Sequence, residues 1–526
     1  MKNSKIILCH NIKLDKSYKN VLDYTEQQMV TLCYDNEVGH RDNYSFIKPD
    51  ANVVEVDFTY NECLTANYIA FQNPYYANKW FFAFIDKVEY RNNNLTRIYF
   101  TVDVFATWFD YWDTKRCFVL REHVNDDTLG LHTIDEGLEH GPYIIADTGD
   151  VGYNLDLHYI IMETTYIPDG FPGNWDSIKY GGVFSGTYRL AFETAANANA
   201  WIKAMDTQAK KDAIISMYMA PAPLCLPITW QTGTLSGQTI TVGAIGATTG
   251  AVIINDGNIT PTIPTTIDTY QPKNNKLFCY PYNYLTFTNN NGVNADYHYE
   301  DFISNTPRFS IAGVVSNGCS VKLYPVNYLK ISDVGTSNYT TKSYNYGIPM
   351  GKLPTCSWQS DTYTNYLTEQ SLSQGLGYVK ASVGSITTGN PIGLVSYVAD
   401  MMVERKTHEL IPPQSHGTNT GDVSFGMNKS RFTYYKTQIK REFAEQIDNY
   451  LTKYGYKCNL LKIPNQTGRT YWNYVKISGD DDIAVSGNVP SDAMEQINNI
   501  YRQGVTIWHN HTNVGNYSLN NTIVTQ

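Results

Sequence analysis

Residues 95–105 read LTRIYFTVDVF, and their alternation is strict. Ile98, Phe100, Val102 and Val104 fall on one side, and Arg97, Tyr99, Thr101 and Asp103 on the other. Successive side chains of a strand point to opposite faces, so this period of two predicts a half-buried strand; a helix would scatter the same residues around its axis. The preceding stretch, KWFFAFIDKVEY, supplies Phe82, Phe84, Ile85 and Val88 as apolar positions. Asn92, Asn93 and Asn94 separate the two runs, and asparagine tolerates the left-handed backbone of a tight turn. A β-hairpin follows, within a series of antiparallel strands over 53–121.

The character changes after 145. Gly, Pro and Thr become frequent, as in TGTLSGQTITVGAIGATTGAVIINDG (232–257), which predicts short strands and tight turns. One helix is expected from about Phe192 to Met219, with Trp201, Met205, Ile214 and Met217 at helical spacing and Pro221 and Pro223 as its stop. From 428 the order reads strand, helix, strand, strand, helix, strand. The first helix, about 436–454, would carry Ile439, Phe443, Ile447 and Leu451 on one face and stop at Gly455. Strands are expected at 456–463 and 470–478. The second helix starts at Ser491 after Pro490, carries Met494, Ile497 and Tyr501, and ends at Gly504 before the strand VTIW.

The fold class is therefore mainly β with α+β elements. The division expected is 1–145 and 416–526 as the two parts of one discontinuous β domain, 146–330 as an inserted β-rich domain, 331–365 as return strands, and 366–415 as a long Gly/Ser-rich loop.

Composition excludes disorder: 42% of residues are hydrophobic and 17% charged, enough apolar surface to offset chain entropy. The 42 tyrosines suit sheet surfaces and subunit contacts, joining an apolar face to a polar tip. The nine cysteines lie at least 24 residues apart, so no CxxC pair exists for zinc or redox chemistry. Buried thiols of a chain made in a reducing cytoplasm are expected. The only apolar run in MKNSKIILCHNIKLDK is Ile6 to Cys9, too short for a secretory signal, and no 18-residue apolar stretch occurs.

The net charge of −10 is uneven. Residues 425–476 carry ten Lys or Arg against Glu442, Glu445 and Asp448, which is 10 − 3 = +7, leaving −17 for the rest. Lys429, Arg431, Lys436, Lys440 and Arg441 are the candidate basic face toward a neighbouring subunit or upstream partner; a nucleic-acid contact or a solvated helix face are the alternatives.

No catalytic or metal site is expected, and no cofactor. GxxxxGK, GxSxG and HExxH are absent. His509-Asn510-His511 reads as a surface turn after a strand rather than a nuclease motif. Asp480-Asp481-Asp482 lacks the donor spacing of a calcium loop. Asp135 and Glu136, being adjacent, face opposite ways on an extended segment and cannot flank one substrate atom, so they and His132 read as a turn. A polysaccharide-cleaving enzyme would need two convergent carboxylates, and none is placed.

Between Lys380 and Asp400 lie 19 uncharged residues, ASVGSITTGNPIGLVSYVA, with Ile386, Ile392, Leu394, Val395, Tyr397 and Val398 as apolar members. The length would just cross a bilayer as a helix, but Asn390-Pro391 interrupts it.

Long collinear strings then match one family. YIAFQNPYYANKWFFAFIDKVEY, LREHV and HTIDEGL, followed near the C-terminus by KYGYKCNLLKIPN, WNYVKISGD and GVTIWHNHTNVGNYS, resemble the tail knob proteins of small, protein-primed short-tailed phages. The likeness covers roughly 15–145 and 428–520. It implies a virion structural protein, not an enzyme, whose two chain ends build a tube domain and whose homo-hexamer forms the distal tail tube. It also implies an upstream lower collar protein as partner, genomic double-stranded DNA passing through the lumen without specific binding, and long hydrophobic loops that plug the lumen and act on the host membrane. Residues 366–415 should map onto that loop, though here it is shorter, more polar and interrupted by Lys380 and Asp400. The alternative is a receptor-binding protein or cell-wall depolymerase of the tail, the Tyr-rich 146–330 region supplying stacking surfaces.

Overall fold

The computed structural model describes residues 4–44, 52–74, 77–151, 158–175, 177, 179–180, 183–184, 186–210, 213–225, 228–245, 252–313, 321–329, 346–349, 355–359, 431–479 and 484–524. The chain divides into two compact units. The first comprises Met1–Glu139, Pro272–Lys276 and Glu442–Gln526, and the second His140–Gln271 and Leu277–Arg441.

In the first unit a six-stranded sheet runs in the order Glu37–Tyr44, Ser4–Cys9, Tyr68–Gln72, Trp80–Asn92, Leu95–Val102, Val53–Val56. The hairpin closes at Asn92 opposite Leu95, with Ile85 facing Phe100 and Val88 facing Ile98. The alternation holds as far as Phe100: Ile98 and Phe100 are buried, while Arg97, Tyr99 and Thr101 are partly exposed. The strand stops at Val102, two residues before the alternation ends. Asp103 accepts the Ala106 N–H at 3.1 Å and caps a short helix, Val104–Trp108, because a carboxylate satisfies an amide that a helix start leaves unpaired. One face of this sheet buries Ile6, Leu8, Val54, Ile69 and Ile98. The other buries Ile7, Tyr68, Phe82 and Phe84 together with Trp472 and Trp508, which come from the far end of the chain.

Those tryptophans belong to a second sheet, ordered Asn20–Leu22, Val505–Trp508, Trp472–Ile477, Cys117–Glu122, Tyr456–Lys462. Two of its strands are N-terminal and three C-terminal. The Asn20–Leu22 and Val505–Trp508 pair is parallel and the others antiparallel. Helix Ser491–Gln503 packs Ala493, Ile497, Ile500 and Tyr501 into this sheet's core and ends at Gly504, whose φ of 94° is open to glycine. Met494, expected on the buried face, is only partly buried.

The first C-terminal helix spans Arg441–Tyr454, not 436–454, and buries Ala444, Ile447, Asp448 and Leu451. Residues Phe432–Ile439 form a strand of the second unit, paired on both sides by Tyr143–Val151 and Asn283–Thr288. Ile439 is thus buried from a strand; its fourfold spacing to Phe443 is a coincidence of adjoining elements.

The second unit holds that four-stranded sheet, completed by Asn294–Tyr297, a six-stranded sheet around His158–Thr164, and a further four-stranded sheet. The expected 192–219 helix is shorter. It spans Ala195–Thr207 and buries Trp201 and Met205, and Ile214–Pro221 is a strand paired with His158–Thr164. The β-branched Ile214 and Ile215 and the ladder to residues 158–164 outweigh the helical spacing of Ile214 and Met217. Among the described residues no helix is long and apolar enough to cross a membrane.

Candidate assembly unit and its surfaces

The resemblance-bearing strings meet where the chain ends join. Cys117–Glu122 lies between Trp472–Ile477 and Tyr456–Lys462, with Val475 opposite Glu122 and Leu461 opposite Phe118. The Glu122 carboxylate is buried, takes an ion pair from Lys462 and accepts the Asn465 N–H at 2.8 Å. His123 accepts the Tyr474 N–H on Nδ1 at 2.8 Å, so Nε2 carries the proton and donates to the Thr452 carbonyl at 2.9 Å. Burial pushes its pKa down to about 3, and Arg469 and Arg121 act the same way, so the ring is neutral.

Glu136 is the hub of a second joint. It is buried, ion-paired to both Arg121 and Lys276, and accepts the Lys457 N–H at 3.0 Å. Burial lowers the Lys276 pKa, and the facing Glu136 acts against that shift. Arg121 also donates to the Gly455 carbonyl at 2.7 Å. Asp448 closes a third joint, accepting the Lys273 and Asn274 N–H groups at 2.8 and 3.1 Å. Asp127 accepts Tyr456 Oη–H at 2.6 Å and the Asn275 N–H at 2.8 Å. The carboxylates here are held by backbone, hydroxyl and cationic donors, an arrangement that fixes chain geometry.

The same holds for the other weighed motifs. Gly137, at φ 67°, sits in the turn after Glu136, its N–H bonded to Asp135. His509 pairs through Nδ1 with Asp23 at 2.6 Å, and His511 Nε2 accepts the Lys13 N–H at 3.2 Å. The histidines thereby stitch the C-terminus to the N-terminus. Asp480, Asp481 and Asp482 lie outside the described residues, as do Lys429 and the loop positions Ile386, Ile392, Leu394, Val395, Tyr397 and Val398.

The basic stretch is split between the units. Arg431 and Lys436 are in the second unit and pair with Asp150 and Asp147 of the adjoining strand, each at 2.9 Å. Lys440 is half-buried, and Arg441, exposed, gives its backbone N–H to Asp268 at 3.0 Å. Of the remaining cations, Lys453, Lys457, Lys462 and Lys476 stand in the first unit and Arg469 is buried there.

Two features escaped the sequence reading. Lys276 comes from a five-residue segment of the middle region that joins the first unit, and nothing local marks it. The run Leu460-Leu461-Lys462-Ile463 did carry a signal. Adjacent apolar residues in a strand cannot share one face, and both leucines are more than half exposed.

The family model described as Bacillus phage phi29, Tail knob protein gp9, C-terminal domain, matches residues 248–522, just over half of the chain. The chain belongs to the tail knob protein gp9 family. A second model, Caudoviral major tail protein N-terminus, matches residues 2–113. The tail knob protein gp9 of Bacillus phage phi29 is 24% identical over an alignment of 564 residues, covering 92% of this chain and 91% of the relative. Its counterparts in Bacillus phages PZA and B103 are 26% and 24% identical at similar coverage. The solved tail knob protein gp12 of bacteriophage C1 superposes with a TM-score of 0.64 at 14% identity, over 99% of this chain and all of that one, so the tail knob fold is shared. The match to the tail knob family runs through the middle of the chain as well as its ends. Membership makes this a structural component of a virion tail, not an enzyme.

Proposed function

We propose that this tail knob protein forms a homo-hexameric ring, the distal tube of the tail, and that the double-stranded genome passes through it into the host. The observation carrying the reading is the first unit. Its five-stranded sheet takes two strands from the N-terminal part and three from the C-terminal part, and His123, Glu122 and Glu136 lock them together. Both chain ends are held in this one unit, and copies of it arranged head to tail would close into a ring that removes exposed sheet edges. A channel for DNA must not grip phosphate. Cations along it would displace counterions and hold the duplex, whereas the acidic balance outside 425–476 lets it slide. The cations of that stretch that are neither paired with Asp147 or Asp150 nor buried then serve a neighbouring subunit or the upstream lower collar protein.

The segment 366–415 takes the place of the family's lumen loop, with Ile386, Ile392, Leu394, Val395, Tyr397 and Val398 as its apolar contribution to a plug and to contact with the host membrane. Light scattering on the full-length protein tests the ring: six chain masses are expected, and a monomer at every concentration contradicts it. Protein lacking 372–402 should still form rings but lose liposome leakage. Full-length protein that causes no leakage at acidic or neutral pH sinks the membrane role and leaves the conduit standing.

A further inference from the structure

The hairpin of Asn283–Thr288 and Asn294–Tyr297 in the second unit sets Thr288 opposite Asn294 at its closed end and Leu285 opposite Tyr297 toward its open end. Two turns meet beyond that open end. Cys279–Asn283 enters the hairpin, the Cys279 carbonyl accepting the Tyr282 and Asn283 N–H groups at 3.0 and 3.2 Å, and His298–Asp301 leaves it. Tyr280 is the residue the two turns share. Its N–H donates to Glu300 Oε1 at 2.9 Å, and its ring stacks on the His298 imidazole, with 4.1 Å between centroids and 20° between planes. His298 Nδ1 stands 3.5 Å from Asp301 Oδ2, and the His298 backbone N–H donates to Tyr328 Oη at 3.2 Å.

The charged groups acting on His298 are acidic: Asp301 and Glu300 from its own turn and Asp296 from the strand, while Tyr280 and Tyr328 present neutral phenols. Glu300 is 3% exposed, and its Oε2 has no hydrogen-bond partner among the described residues. A buried carboxylate oxygen without a donor is costly as an anion, and far less so once the group is neutral. The side chains of His298 and Asp301 are about a third exposed, so protons reach them from solvent. An imidazolium also lies on the face of the Tyr280 ring more favourably than a neutral imidazole does.

We infer that His298 and Glu300 are a proton-dependent clamp: with protons bound they hold Tyr280, and with it the two turns, and on losing them they let the open end of the hairpin loosen. Both groups push in one direction. Burial lowers the His298 pKa, but the Asp301 contact and the charges of Glu300, Asp301 and Asp296 outweigh it, and the net direction is up from 6.5. Burial raises Glu300 from 4.5, against the hydrogen bonds from the Glu300 and Tyr280 N–H groups and the charge of His298. The closed turns therefore bind protons more tightly than the open ones. Their hold is complete below those two ordinary values and is lost as pH rises through the raised ones. The clamp lies within the second unit and is independent of ring assembly.

Hydrogen exchange read by mass spectrometry on the full-length protein tests the clamp, with rates corrected for the intrinsic pH dependence of amide exchange. Protection of the peptides spanning 279–283 and 298–302 should fall by about fivefold or more from pH 5 to pH 8. That of 158–164, an interior strand of the six-stranded sheet in the same unit, should stay level. His298→Phe combined with Glu300→Gln keeps a ring on Tyr280 and an acceptor for its N–H but removes both titrations, so protection at 279–283 should be level across the range. Wild-type protection that does not change with pH overturns the clamp. So does a double variant that keeps the parent's slope, or a wild-type fall at 158–164 parallel to that at 279–283. Should the double variant lose protection at 158–164 at every pH, and so be misfolded, the single substitutions decide: each should remove part of the slope, and a slope left intact by both overturns the clamp.

Discussion

Lys276 and Glu136, 140 positions apart, form a buried ion pair in the first unit, although Lys276 comes from a segment only five residues long, Pro272–Lys276. The same carboxylate holds Arg121, so one acidic side chain ties the N-terminal strands, a middle segment and, through the Lys457 N–H, the C-terminal block. Removing it strands the buried Lys276 and takes a partner from the partly buried Arg121. Glu136→Gln should destabilise the first unit by about 3–5 kcal/mol, seen as a fall in the denaturant or thermal midpoint. Lys276→Met should cost less, because Arg121 still neutralises Glu136. Equal effects of the two substitutions would show that Glu136 is not the hub.

His123 makes the first unit sensitive to acid. Its folded pKa of about 3 lies below the ordinary 6.5, so the unfolded chain binds the extra proton between those values. Its contribution to stability is complete above pH 6.5 and is lost as pH falls toward 3, by about 1.4 kcal/mol per pH unit within that window. His123→Gln should flatten the stability profile between pH 6.5 and 4. A profile that keeps the parent's slope there removes His123 as its source.

Asp103 works in the opposite direction. Burial raises its carboxyl from 3.8 to about 6, against the hydrogen bonds from Ala106 and Tyr68. The folded state therefore binds the proton more tightly, and this group's contribution falls as pH rises from about 4 to 6. Asp103→Asn keeps a good helix cap and removes the titration. Relative to the parent it should gain stability across that interval, and a constant difference from pH 4 to pH 7 would refute the assignment.

Gly455 ends helix Arg441–Tyr454 at φ 68°, and a Cβ there would sit 2.1 Å from the Glu122 carbonyl oxygen. The neighbour is backbone within the sheet and cannot swing aside. Gly455→Ala should cost about 3 kcal/mol or more and broaden amide signals near Glu122 and His123. A variant as stable as the parent would mean the helix–strand junction has room to relax.

Much of this fold was legible locally. Ile98 and Phe100 announce their strand by alternation, and Pro490 and Gly504 bracket the last helix, because those signals sit within a few residues of their effect. Lys436–Ile439 was misread as the start of the helix because the partners of its strand, at 143–151 and 283–288, are remote, so ladder pairing decided a segment whose apolar spacing also suited a helix. The joints were legible only in part. LREHV and HTIDEGL stand out as unusual strings, yet that Glu136 meets Lys276 depends on a chain excursion no periodicity encodes. The basic residues looked like one face because they are close in sequence. Folding sends Arg431 and Lys436 to aspartates of a neighbouring strand and buries Arg469 in the other unit.

Electron cryomicroscopy of the purified full-length protein tests the central claim most directly. Six copies surrounding an open axial channel, each with its N- and C-terminal strands in one shared wedge, is the predicted image. Solitary particles with no central opening at any concentration would contradict it.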